Sequence, residues 1–167
     1  MKERATEKEY YRLLSDGSYR DVRFNPKSGA LLAIHKEHHF DPTIGKFGIP
    51  RGDYERIASE ILYEYGRNIV LDSEYKKDGV KAPEGFLDGR KFDIKGIEGT
   101  GKRNIEYRIY DASRQGAEVI VLYYHDASVF SKQNIINGYR AYLRNSKSKR
   151  IRTLYYIVDK KLHKMDL

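Results

Sequence analysis

Hydrophobic positions in this chain follow two rhythms, and the changes from one to the other mark out its elements. From Thr6 to about Leu14 a charged stretch carries Tyr10, Leu13 and Leu14 as a thin apolar stripe and stops at Asp16-Gly17, which predicts a short leading helix. Between Ser18 and Gly52 the apolar groups are brief and are interrupted at Asn25-Pro26 and Asp41-Pro42, so loops with a short hairpin are expected. The strongest helical pattern follows. Asp53 is a good N-cap, Ile57, Ala58, Ile61, Leu62 and Tyr65 recur at helical spacing, and Gly66 stands where a C-terminal cap belongs.

Asn68 to Leu71 (NIVL) then reads as a strand, and FLDGRKFDIKG, from Phe86 to Gly96, as a hairpin turning at Asp88-Gly89. Further helices are expected over roughly Asn104 to Gln115 and Ser131 to Arg144, with a buried strand at Val119–Tyr124 and a last strand near Thr153–Val158. Strands alternating with helices predict an α/β fold, and the tight hairpin makes its central sheet mixed. With 167 residues the chain can bury one ordinary core. We expect residues 1–50 to form an N-terminal helix and loop-rich extension and residues 51–167 to hold the core.

Charge narrows the partners. Thirty-two Lys and Arg against 24 Asp and Glu give a formal charge of +8, which favours a polyanion such as nucleic acid. The absence of Cys excludes a disulfide framework, a thiol nucleophile and a Cys-ligated zinc, leaving His and carboxylates as metal ligands. No apolar run approaches the roughly 18–20 residues of a membrane span, and Met1-Lys-Glu-Arg leads into no apolar signal-peptide core, so a soluble protein without an export signal of its own is expected.

The hairpin carries the chemistry. With Asp88-Gly89 as a two-residue turn, Leu87 faces Arg90, Phe86 faces Lys91 and Gly85 faces Phe92, so Glu84 stands opposite Asp93. Two carboxylates at one spot repel unless a positive group lies between them, and a divalent cation is the natural occupant. Period-two alternation puts Lys91, Asp93 and Lys95 on one face, with Phe92 and Ile94 on the other, and so sets Lys95 beside the carboxylates. A hard ion such as Mg²⁺, or Mn²⁺, suits such a site, and phosphodiester hydrolysis is the reaction class implied. The same spacing also fits solvated surface charges, with Glu84 outside the paired region.

Pro83-Glu84 followed by Asp93-Ile94-Lys95 resembles the PD-(D/E)xK nuclease signature, with Glu in place of the usual first Asp. The order helix YERIASEILYEYG, strand NIVLDSE, loop KAPEG, hairpin LDGRKFDIKG and helix–strand RQGAEVIVLYY extends the resemblance over about residues 51–158. More narrowly, it is similar to the C-terminal tRNase toxin domains of contact-dependent growth inhibition systems, related copies of which occur on phage head-type proteins. The resemblance implies a mixed sheet flanked by helices and a metal held by Glu84, Asp93 and a glutamate of the first helix. Glu55 matches that glutamate best, with Glu60 and Glu64 as rivals: Glu55 lies about 90° from the centre of the apolar stripe, at the edge of the buried face, Glu60 about 130° away, and Glu64 at the opposite edge. Glu74 is a further carboxylate near the strand end. Glu55, Glu84, Asp93 and Lys95 would then form the catalytic set, with Arg108, Arg114 and Gln115 matching polar groups near the scissile phosphate. A tRNA substrate, an acidic immunity protein, and action in the cytoplasm after delivery by a larger secreted or phage-associated protein also follow from the resemblance.

Two features stand apart. His35, His38 and His39 (IHKEHHF) fit either metal-free acid/base catalysis, a second metal site or a solvated loop. From Lys132 to Lys164 there are ten Lys or Arg against one acid, Asp159, and Arg140, Arg144, Lys147, Lys149, Arg150 and Arg152 are candidate phosphate contacts. A DNA endonuclease on the same core and a non-catalytic nucleic-acid-binding or phage-structural module remain the competing functions.

Overall fold

The computed structural model describes residues 4–73, 84–101 and 103–166. Among these residues eight strands form one mixed sheet in which each strand lies beside its neighbour in sequence, and four α-helices flank it. Strands β1 (Tyr19–Asn25) and β2 (Ala30–His35) pair antiparallel, and β2 runs parallel to β3 (Asn68–Leu71). Next come β4 (Gly85–Leu87) and β5 (Arg90–Gly96), both antiparallel to the strand before. β6 (Val119–Tyr123) and β7 (Thr153–Val158) continue parallel to β5, and β8 (Lys161–Lys164) closes the far edge antiparallel.

Alternation within the strands assigns the helices to faces. Helix α2 (Gly52–Glu64) covers one face, packing Tyr54, Ala58, Ile61 and Leu62 against Leu32, Leu71, Phe92, Ile94 and Val121. The other face carries α3 (Asn104–Arg114) and α4 (Lys132–Asn145) over Ile120, Leu122 and Leu154, and α1 (Glu7–Ser15) over Leu31 and Ala33. Gly138 lets α4 approach α3 closely: a Cβ there would lie 2.6 Å from the side chain of Ile105. Among the described residues no helix is long and apolar enough to cross a membrane.

The β4–β5 hairpin has the register its turn predicts, with Leu87 against Arg90, Phe86 against Lys91 and Gly85 against Phe92. Asp88 (φ 50°) and Gly89 (φ 81°) both adopt the left-handed conformation of the tight primed turn. The Asp88 carboxylate locks that turn, accepting from the Asn68 N–H at 2.9 Å and pairing with the buried Arg67 guanidinium.

Residues 18–52 hold the expected hairpin, β1–β2, but it is longer and more buried than a short hairpin among loops. They supply two full strands, and every residue of Ala30–Ile34 is buried. The run ALLAI is covered on both faces and therefore lacks the alternation of a half-exposed strand. β8, a polar edge strand, was likewise not anticipated.

Candidate active site

Strand β4 is only three residues long, while β5 continues from its last β4 partner, Phe92, through Asp93 to Gly96. Among the described residues a notch therefore opens beside β5, where side chains from both faces of the sheet can meet. Glu84 enters just ahead of β4, its backbone carbonyl accepting from the Asp72 N–H at 2.9 Å. Glu55 reaches in from the first turn of α2, and Asp93 and Lys95 from β5. Pro83 and Glu74 lie outside the described residues.

The four residues named from sequence do come together. Glu84 faces both Glu55 and Asp93; burial and then those two negative charges push its carboxyl well above the ordinary value. Asp93 is fully buried, and burial raises its carboxyl against the opposing pull of Lys95. The Lys95 ammonium lies 3.2 Å from Asp93 Oδ2 and donates to Asp111 Oδ2 at 2.9 Å. Burial alone would lower its pKa, yet the two aspartates outweigh that and hold Lys95 above its usual value. Among the described residues neither Asp93 oxygen accepts an aligned hydrogen bond, although Lys95 and Glu84 lie against this buried carboxylate.

The rivals separate cleanly. Glu60 is ion-paired with Arg23 of β1, and Glu64 is exposed.

His38 is the principal addition. It is fully buried, whereas His39 is exposed and His35 Nδ1 accepts from the Glu37 N–H at 3.1 Å, so the three histidines form no common group. His38 Nδ1 lies 2.7 Å from the Asp72 carbonyl and must donate to it. Its Nε2 then faces Glu55, with which it is in contact, and Glu84 Oε2 at 3.6 Å. Electron-rich groups in that arrangement need a proton or a metal ion between them. One ligand atom from each of His38, Glu55 and Glu84 lies within 4.8 Å of the others. The donor chemistry fits a divalent cation, with Asp93 adjoining the trio through Glu84.

Asp111 is the second addition. It steadies Lys95, and Gln115 Nε2 and an Arg114 guanidinium nitrogen donate to it at 3.0 and 3.1 Å. Gln115 thus stands behind Lys95 rather than at the opening. Arg108 does reach the opening, a cavity of about 180 Å³ that it shares with Glu55, Glu84, Lys95 and Arg51. Glu98 fastens the 46–51 loop there, accepting from the Lys46 N–H (2.7 Å), Arg51 Nε (3.0 Å) and the Tyr54 hydroxyl (2.9 Å).

Arg140, Arg144, Lys147, Lys149, Arg150 and Arg152 are all exposed. Residues 147–152 precede β7, whose first residue Thr153 is level with Val119 and Phe92, whereas Lys95 is level with Leu122 and Tyr156. This basic loop therefore lies at the strand-start end of the sheet, and Lys95 toward the strand-finish end.

The fold has a solved counterpart. A chain of the "CdiA-CT/CdiI toxin and immunity complex from Burkholderia pseudomallei" superposes with a TM-score of 0.50 at 18% identity, covering 77% of this chain and 98% of that one. No family model and no curated protein matches the sequence. The similarity is one of fold, a mixed sheet flanked by helices.

Proposed function

We propose that this chain is a metal-dependent nuclease that hydrolyses phosphodiester bonds, with tRNA as the favoured substrate, and that it acts as a toxin domain. The observation that carries this reading is the meeting of Glu55, Glu84 and Asp93 with His38 and Lys95 in an open notch of the sheet. His38, Glu55 and Glu84 would hold the ion, with Asp93 beside them. Because imidazole is a donor that Mg²⁺ seldom uses, the set favours Mn²⁺ over Mg²⁺. A bound divalent ion supplies Lewis acidity and a more acidic water.

The protein's own groups do the rest. Lys95, held in its ammonium form by Asp93 and Asp111, is a proton donor and charge stabiliser for the pentacoordinate phosphate, not a general base. Arg108, at the opening, meets a non-bridging phosphate oxygen. Water oxygen bonds to phosphorus while the bond to a sugar oxygen breaks; the water passes a proton to solvent and the departing oxygen takes one from Lys95, which solvent reprotonates.

The toxin assignment draws support from the solved counterpart, a chain of a toxin and immunity complex. The +8 charge suits an acidic immunity protein, and a tRNA target implies action in the cytoplasm. The test incubates purified protein with tRNA and with plasmid DNA, in Mn²⁺, Mg²⁺ or EDTA, beside the Lys95→Ala variant. Cutting of tRNA that needs the cation and Lys95 is the expected result. Cutting confined to plasmid would replace the substrate, and absence of cutting would leave a binding module.

A further inference from the structure

A cavity of about 480 Å³ opens at the strand-start end of the sheet on the face that α2 packs against, and nothing in the hydrolytic reading uses it. Its floor is apolar, made by the buried Leu87 and Val119. Arg67, Arg90 and Lys164 supply three cations around it, against Asp88 as the one acid of the lining.

That acid is already neutralised. Arg67 pairs with Asp88 and donates to the Tyr155 hydroxyl at 3.0 Å, so this pair is spent on holding the β4–β5 turn. Arg90 and Lys164 remain, both exposed and with no acidic partner among the described residues. Arg90 is nevertheless oriented, donating to the Thr153 hydroxyl at 3.0 Å. Lys164 is brought to the same cavity by pairing opposite Tyr155 on the edge strand. Two uncompensated cations thus converge over an apolar floor, in a space within the roughly 300–1,000 Å³ of small-molecule pockets.

We propose that this cavity binds a phosphate-bearing anion of nucleotide size, with Arg90 and Lys164 gripping the phosphate and Leu87 and Val119 packing under the sugar or base. Lysine and arginine on a convex surface would simply stay hydrated. Here the concavity, the preset Arg90 and the absence of a counter-charge make exchange of water for a phosphate favourable. The site is separate from the notch: Val119 and Leu122, which mark the levels of the two sites on β6, are three residues or roughly 10 Å apart along the strand.

The experiment is calorimetric titration and amide NMR of the full chain in EDTA at low salt, with AMP, inorganic phosphate and a short single-stranded RNA as separate probes. The expected result is saturable binding that shifts the amides of Val119 and Thr153. It should weaken about ten-fold or more in the Arg90→Ala/Lys164→Ala double variant and persist in Arg90→Lys, which keeps the charge. AMP above inorganic phosphate assigns the floor to sugar and base, and RNA above AMP assigns the phosphate to a polynucleotide; either pattern, if lost in the double variant, supports the site. Binding by none of the three probes, or binding undiminished in the double variant, overturns it. Because EDTA is present and no cleavage is read, failure here is distinguishable from failure of the nuclease reading.

Discussion

The two ends of the sheet carry opposite charge imbalances, and comparing Lys95 with Arg67 shows what each imbalance is for. Both are inward-turned cations beside carboxylates. Arg67 meets one carboxylate, Asp88, and a tyrosine hydroxyl, so the local charge closes and the pair pins a turn. Lys95 meets Asp93 and Asp111 while Glu84 and Glu55 crowd in beside them, so four carboxylates face two cations, the Lys95 ammonium and the Arg114 guanidinium on Asp111. A closed pair is a structural device, whereas an open excess in a cleft is the mark of a ligand or a reaction. At the Arg67 end the excess has the other sign, because Arg90 and Lys164 have no acidic partner among the described residues.

Substitutions can break this contrast, and the largest effect belongs to the closed pair. Arg67→Ala strands the Asp88 carboxylate and costs about 3–5 kcal/mol of stability, read by urea unfolding. Lys95→Ala instead lowers single-turnover cleavage about 10²–10³-fold by removing a donor to the transition state. A stability loss there without any loss of rate would make Lys95 a second Arg67.

Glu84→Gln has a smaller effect, with a sign that tests the charge excess. Glu84 titrates above its ordinary value of 4.5, so between that value and its folded pKa the native state keeps a proton that the unfolded chain has released. Metal-free protein therefore loses stability as pH rises through that window. Glu84→Gln reduces this slope and stabilises the metal-free protein above the window, while weakening Mn²⁺ binding. Thermal melts across pH in EDTA measure it. Least of all, Arg90→Ala changes stability by no more than about 0.5 kcal/mol, since its one side-chain hydrogen bond among the described residues, to Thr153, is exposed.

The parts of the fold legible in the sequence were those with a local physical signature. Asp88-Gly89 announces a primed turn, and from that turn the pairing of Gly85 with Phe92 and the approach of Glu84 to Asp93 follow by counting. Helix periodicity favoured Glu55 at the edge of the buried stripe over Glu60, which turns away to Arg23. His38 had no such signature. It meets Glu55 because β2 lies parallel to β3 and sets the 36–38 turn beside Asp72, a long-range pairing that no spacing reports. Asp111 was within reach of local reasoning, one turn before Gln115 on α3, yet only the strand beneath shows that this face looks onto Lys95. The strand ALLAI was obscured by its own burial on both faces.

Anomalous diffraction from a crystal soaked in Mn²⁺ tests the negative excess most directly. The arrangement predicts a single strong peak in the notch, bounded by His38 Nε2 and the carboxylates of Glu55 and Glu84. Native crystals without a peak there, and with Glu84 turned out to solvent, would contradict it.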